Sequence, residues 1–395
     1  MELKCETDEA LTAWMQKLRR ALHEEPERSG EEYKTRAKVA AALQALGLKA
    51  QTYEEHCGVS AVIEGAERGP VVALRADMDG LSVTEATGLS YASRQDGLMH
   101  ACGHDMHMAG LLGAAALLLR RRAALRGAVK LVFQPAEELS PQGGARFFLQ
   151  NGFLSDVQAV FGLHVWPELE TGEIGIKDGP MMAASDRFSA KLFGRGAHAG
   201  QPHRGVDAIV AGMNALQGFQ QIVSRQVDPL AAAVLSVGCV QGGERYNVVA
   251  REFSMEGTVR TLDEAARARI PAAMEQVLAG TAQACGAAYA LDYQRGYPAL
   301  CNWRSAVDII RRAAQGCAVR AVQPAMAAED FGFYLEQIPG AFFWLGCRTH
   351  EEAPQSLHSP AFAPDEAALP LAARLLAGCA CEALAALQAG EKWTR

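Results

Sequence analysis

The sequence is short of positive charge, of long apolar runs and of repetition, and each shortage removes a class of function. Its 38 Lys and Arg stand against 45 Asp and Glu, a formal net charge of −7. No extended basic block offers the electrostatic footprint that nucleic acid or an anionic membrane surface requires. The longest strongly apolar run, 109–119, falls well short of the ~20 residues that span a bilayer and runs into Arg120, Arg121 and Arg122. No membrane partner is therefore expected. The N-terminus, Met1-Glu2-Leu3-Lys4-Cys5-Glu6, lacks the apolar core and small-residue cleavage site of a signal peptide, which predicts a cytoplasmic address. No repeat or low-complexity linker is visible, which excludes solenoids and flexible strings of modules.

What is present suits an enzyme of ordinary architecture. A chain of 395 residues that is 49% hydrophobic has the length for about two domains and enough apolar residues for their cores. The ten cysteines follow no regular spacing and are expected to be reduced, most of them as small buried hydrophobes. Helical periodicity runs over 11–22 and 33–46 and returns at 109–119. Short β-branched runs at 59–63, 71–73, 129–133 and 160–165 read as buried strands. This alternation predicts an α/β sheet with helices on its faces. From about residue 186 the strands alternate apolar and polar positions (188–193, 233–240, 253–259) around helices at 206–223 and 262–284, the pattern of an antiparallel α+β layer. The α/β texture resumes after Pro298, with a strand at 342–345 and an Ala/Leu-rich helix from Asp365. The expected domains are therefore 1–184 with 298–395, interrupted by 185–297.

The chemistry concentrates in a few segments. His100-Ala-Cys102-Gly-His104-Asp-Met-His107 gathers imidazoles and a thiol, the favoured ligands of zinc-like ions, around a glycine that lets Cys102 and His104 turn toward one point. Glu137 and Glu138 follow the 129–133 strand. Neighbouring side chains of an extended segment diverge, so one carboxylate can bind a metal while the other carries a proton. His164 closes the 160–165 strand and His358 sits in a loop before the last helix. Each segment has a blander reading: a His-rich loop, solvated loop charges, a satisfied core histidine. Together, Cys102, His104, Glu138, His164 and His358 are five ligands at strand ends or in loops, enough for two divalent ions if one side chain bridges. Asp77 and Asp79, on one side of an extended segment, suit a carboxylate that orients a metal-binding histidine.

These blocks resemble the signatures of the M20 metallopeptidases: Arg-Ala-Asp77-Met-Asp79-Gly-Leu, the 100–107 cluster, Gln-Pro-Ala-Glu137-Glu138, Gly-Leu-His164-Val and Leu-His358-Ser-Pro. The nearest branch is the amidohydrolases of N-acylated amino acids. Segments 18–26 and 328–331 are similar as well, so the resemblance covers nearly the whole chain. It implies a zinc-peptidase-like mixed sheet flanked by helices, with an inserted α+β lid and dimerisation domain. It implies two divalent ions, zinc foremost, with manganese, cobalt and nickel as alternatives. Cys102 would bridge them in the position other M20 enzymes give to aspartate, and His104, Glu138, His164 and His358 would complete the sites. Glu137 would be the general base and Asp79 the aspartate behind the metals. Asp77 stands where relatives carry a histidine ligand and is left out. Segment 193–203 resembles a lid turn whose histidine, His198, would reach across a homodimer to the oxyanion. Asn247 and Arg260 match the lid's substrate contacts, Arg260 as a fork for a carboxylate. Ala250 and Gly80 depart from the usual proline and alanine.

The implied reaction is hydrolysis of N-acetyl, N-benzoyl or longer N-acyl amino acids by a metal-activated water. A dipeptidase or carboxypeptidase on the same fold is the alternative. Cys102 as a nucleophile would leave Glu138, His164 and His358 without a role. A non-enzymatic binding protein would be expected to have lost Glu137 or some ligands, all of which are present.

Overall fold

A computed structural model describes residues 8–349, 353 and 355–395. It divides into two compact units, Met1–Gly179 with Cys301–Gln323 and Asp330–Arg395, and Pro180–Leu300 with Pro324–Glu329.

The first unit is built on an eight-stranded mixed sheet. Its order is Gln51–Thr52, Val59–Glu64, Arg126–Gln134, Glu67–Asp77, Ala159–Glu170, Gly340–Arg348, Glu173–Ile176 and Ala318–Ala321. The four middle strands run parallel. Their near-continuous apolar runs are buried on both faces, which is what parallel strands under helices require. Glu9–His23 starts at Asp8, whose side chain accepts from Leu11 N at 2.8 Å.

Two helices form the backbone of this core, His104–Arg120 and Leu369–Gln388. They approach closely at small residues: a Cβ added at Gly110 would meet Ala372 Cβ at 2.9 Å, and one at Gly113 would meet Ala373 Cβ at 2.8 Å. The segment Glu366–Gln388 has the length of a membrane span and holds an 18-residue window of mean hydropathy 1.5, and 67% of that window is buried inside the protein. Sequence reading picks 109–119 as the longest apolar run and passes over this one; its place here is in the core.

Two sequence expectations are corrected in this unit. The helix expected at 109–119 begins at His104, so His104, Asp105 and His107 lie in its first turn and not in a loop. Their polarity disguises a helical start that Gly103, at φ 82°, initiates. The strand expected to close at His164 continues to Glu170 and pairs His164 with Trp344, so His164 is mid-strand.

The second unit is a four-stranded antiparallel sheet in the order Ala288–Tyr297, Ala184–Phe193, Glu252–Thr261, Ala233–Gly242. Helices Ala208–Gln226 and Glu264–Cys285 pack against it around Phe188, Phe219, Met255, Ile270, Met274 and Leu278. Asp207 caps the first helix by accepting from Ile209 N, and Asp263 caps the second by accepting from Ala266 N. Ala233–Gly242 is an edge strand. Val234 and Val240 on it, and Ile209, Val210 and Met213 on the first helix, are exposed apolar side chains.

Candidate metal centre

Every predicted ligand lies in the first unit, carried by a different piece of backbone. Gly103 makes the sharp step between Cys102 and His104: its φ is 82°, and a Cβ there would overlap Val165 Cγ2. Glu137 and Glu138 follow Arg126–Gln134 through Ala136, a non-glycine residue at φ 57°. His358, also left-handed at φ 65°, is tied down by its own N–H, which donates to Ala101 O at 2.9 Å.

These pieces converge on the Cys102 sulfur. It lies 3.3 Å from His164 Nε2 and 3.3 Å from His358 Nε2, and His358 Nε2 lies 3.2 Å from Glu138 Oε1. The donor atoms fall into two triads that share Cys102: Cys102, His104 and His164, and Cys102, Glu138 and His358, each within 4.8 Å. A third group, His104, Glu137 and Glu138, sets Glu137 against both triads. His164 Nδ1 donates to Val165 O at 2.6 Å, which leaves the Nε2 lone pair facing the sulfur. Asp79 Oδ1 meets His104 Nδ1 at 3.2 Å, and His104 Nε2 is buried with no hydrogen-bond partner. Asp79 Oδ2 accepts from Ser29 Oγ at 2.6 Å and from Glu138 N at 2.9 Å, so one carboxylate orients residues from both triads.

The electrostatics ask for cations. Burial, with Glu138 and Glu137 adding to it, pushes the Cys102 thiol well up, and burial pushes the His164 imidazole well down. Burial also acts downward on His104, but Asp77 and Asp79 outweigh it and lift that group to about 10. A divalent ion would oppose the Cys102 and His104 directions, because it favours thiolate and neutral imidazole, and would meet His164 already neutral. The thiol, imidazoles, carboxylate and orphaned Nε2 fit a pair of soft or borderline ions.

Sequence reasoning missed the polar network beneath the ligands. Asp77 Oδ1 accepts from His107 Nδ1 at 2.6 Å, and His107 Nε2 accepts from Val165 N at 2.9 Å, which fixes the histidine as its Nδ1–H tautomer. Arg75 donates to Asp77 at 2.7 Å, to Gln134 at 3.0 Å and to Asp330 at 2.8 Å. The Asp330 N–H reaches Glu137 Oε1 at 3.3 Å. Asp77 thus orients His107 and balances the Arg75 charge, and its Oδ2 lies 3.7 Å from His104 Nε2. His107 in the 100–107 cluster was the available signal for its partner. Glu32 was missed as well: fully buried, it accepts from Gly30 N at 2.9 Å and Ala136 N at 2.8 Å through one oxygen. Burial and the Asp79 charge raise it to about 7.

Asp105, next to His104, anchors the helix start to the rest of the unit. Its Oδ2 lies 2.7 Å from Arg19 Nε and 2.8 Å from His23 Nδ1, all fully buried, and Glu85 holds the other His23 nitrogen at 3.2 Å. Burial works against the charges, but Arg19 and His23 hold the Asp105 carboxyl far below its usual range, and Asp105 holds His23 above its own. The Asp105 contribution is present above the unfolded carboxylate value and is lost in acid. The His23 contribution is present below the unfolded imidazole value and is lost as pH rises through the raised one. Asp105→Asn leaves the buried Arg19 only its longer, 3.4 Å carboxylate contact to Glu366 and is expected to destabilise the protein by about 3–5 kcal/mol. Thermal unfolding at neutral pH measures this; a change under about 1 kcal/mol would show the pair to be dispensable.

The remaining predicted residues belong to the second unit. His198 is exposed, and its Nδ1 accepts from Gly200 N at 3.0 Å, so Nε2 carries the proton and faces outward as a donor. Its turn pairs with the Asn247 segment: Ala199 N donates to Asn247 O at 3.1 Å, and Asn247 Oδ1 is buried without a hydrogen-bond partner. Arg260, on Glu252–Thr261, is half-buried, and that burial lowers its guanidinium from the ordinary value. Gly80, the departure near Asp79, sits where a Cβ would meet Pro26 Cβ at 2.9 Å, so this position is packed for glycine.

Known proteins agree with this architecture. The profile of peptidase family M20/M25/M40 matches residues 73–382. An N-acetyl-L-cysteine deacetylase of Bacillus subtilis (strain 168) is 41% identical over 358 residues, 89% of this chain and 84% of its own length. An N-acyl-L-amino acid amidohydrolase of Geobacillus stearothermophilus is 43% identical over 305 residues, 76% of this chain and 81% of its own. The crystal structure of the Bacillus subtilis YXEP protein, a dinuclear metal binding peptidase from the M20 family, superposes with a TM-score of 0.85 at 37% identity, over 96% of this chain and 99% of that one. Fold, profile and relatives agree over nearly the whole length, and the chain belongs to peptidase family M20/M25/M40, in its amidohydrolase branch, as a metal-dependent hydrolase acting on amides.

Proposed function

We propose that the enzyme hydrolyses N-acyl amino acids to a carboxylic acid and a free amino acid, with Cys102 shared between two divalent ions. The observation that carries this reading is the single sulfur common to both donor triads. His104 and His164 would complete one site, and Glu138 and His358 the other. Zinc suits the thiolate and imidazoles best, with manganese, cobalt and nickel also tolerated. When bound, such ions polarise the amide carbonyl and make water a nucleophile near neutral pH.

The residues around them divide the remaining work. Glu137 takes the proton of the attacking water and returns it to the leaving amine nitrogen, a general base and then a general acid. Asp79 keeps His104 and the Glu138 backbone in register. Arg260 suits the substrate's carboxylate, which a guanidinium fork binds through two parallel hydrogen bonds. Asn247 contributes a buried amide to the same recognition. The outward Nε2–H of His198 is a donor for the oxygen that gains charge as the carbonyl becomes tetrahedral, supplied by one copy to the other in a homodimer. The bare edge of Ala233–Gly242 and the exposed Ile209, Val210 and Met213 support a homodimer formed through the second unit. The nine described cysteines are free thiols, which suits a reducing cytoplasm.

Two experiments test these points. Metal-loaded enzyme offered acetyl-, benzoyl- and longer N-acyl amino acids alongside unblocked dipeptides is expected to turn over the blocked substrates. Faster cleavage of the unblocked dipeptides would make it a dipeptidase instead. Mixing inactive His198→Ala chains with inactive Glu137→Gln chains is expected to restore about a quarter to a half of wild-type activity, because hybrid dimers regain one intact site. Absence of rescue after verified subunit exchange would remove His198 from the partner's site.

A further inference from the structure

Among the described residues only two that are not glycine have positive φ, Ala136 and His358, and both border the metal centre. An alanine in the left-handed region costs roughly 1–2 kcal/mol and persists only where its surroundings impose it. At Ala136 the imposing group is identifiable. Its N–H donates at 2.8 Å to Oε1 of Glu32, 104 residues away in sequence and fully buried. The same oxygen takes the Gly30 N–H at 2.9 Å, so the carboxylate is itself fixed from a second side. Two residues on, the Glu138 N–H donates to Asp79 at 2.9 Å. The short turn from 136 to 138 is thus pinned at both ends by carboxylates that come from elsewhere in the chain.

We propose that Glu32 is a positioning residue for the reaction, holding the Ala136 peptide left-handed so that Glu137 and Glu138 diverge, one toward the substrate and the other toward an ion. The proposal rests on the roles given above to Glu137 and Glu138. Without the clamp, Ala136 relaxes toward negative φ and swings the two following Cα atoms. Displacements near 1 Å at a reacting group cost about 100-fold in rate.

The clamp makes a distinctive pattern of variants. Glu32→Ala is expected to lower kcat by about 100-fold, with KM changed by less than about threefold, and to weaken retention of the ion held by Glu138. Metal content after dialysis against a chelator reads this last effect independently of turnover. Glu32→Gln keeps the accepting oxygen and is expected to stay within about threefold of wild type in both assays, because both N–H groups use that one atom. The decisive arm is Glu32→Ala combined with Ala136→Gly. Glycine adopts the left-handed region without strain, so the double variant is expected to regain at least about tenfold of the lost kcat, together with its metal. Should Glu32→Ala not fold, Glu32→Met, of similar volume and without the acceptor, takes its place in the same pair. A Glu32→Gln as impaired as Glu32→Ala, or a glycine that rescues nothing, overturns the proposal. Glu137→Gln, made in parallel, separates the two failures: if it is active the reading of the base falls, and if it is inactive only Glu32 does.

Discussion

Replacing Glu137 with glutamine is expected to lower kcat by about a thousandfold, in the middle of the range for loss of a general acid–base group, while metal content stays at the wild-type level. Glutamine keeps the volume and keeps an oxygen for the Asp330 N–H that reaches Oε1 at 3.3 Å. The fold and the donor triads therefore have no reason to change. What disappears is the negative charge and, with it, a lone pair that takes a proton at neutral pH and gives it back. Because the proton moves in the transition state, the loss belongs in kcat, with kcat/KM falling in parallel. Stopped-flow or steady-state assays with an N-acyl amino acid, alongside elemental analysis, measure both halves. Turnover within about tenfold of wild type would exclude Glu137 as the base.

The second large effect is expected at Cys102. Its sulfur faces two imidazole nitrogens at 3.3 Å each and belongs to both triads. Cys102→Ser substitutes a hydroxyl that stays protonated and binds soft ions poorly. Loss of a group that merely orients a ligand weakens metal binding by about 10–100-fold, so loss of a shared ligand is expected to exceed the upper end of that range. Elemental analysis after dialysis is expected to find fewer than two ions per chain. Cys102→Asp restores a negative donor and is expected to recover metal better than serine. Two ions retained by the serine variant would show that the thiol does not bridge them.

The sequence exposed some of this directly. The five candidate ligands stand out because His, Cys and adjacent Glu residues are conspicuous against an apolar background, and Gly103 marks the turn between two of them. The shift from continuous to alternating strands signals an antiparallel α+β layer. What stayed hidden depends on contacts distant in sequence. Asp77 reads in the sequence as a carboxylate behind a histidine, but that its partners are His107 and Arg75 emerges only from the fold. Glu32 is one of several acids in 24–32, and nothing local marks it as the partner of Ala136. His104 read as loop because the polar residues of a buried first turn break helical periodicity. The strand Ala288–Tyr297 was overlooked beside a long helix, its alternating pattern being weaker than that helix's signal.

The strand order of the first unit has a consequence for how the enzyme is made. Gly340–Arg348 lies inside the sheet, between Ala159–Glu170 and Glu173–Ile176, and His358 meets Cys102 across 256 residues of sequence. A ribosome delivers the chain from the N-terminus, and domains fold as they emerge. The second unit is almost wholly encoded by one continuous stretch and can fold while synthesis continues. The first cannot close its sheet until residue 348 has left the exit tunnel, nor complete its second donor triad until residue 358 has. During translation the thiol and carboxylates of the centre stand incomplete, so a site that draws on both donor triads would be loaded only once the chain is almost finished.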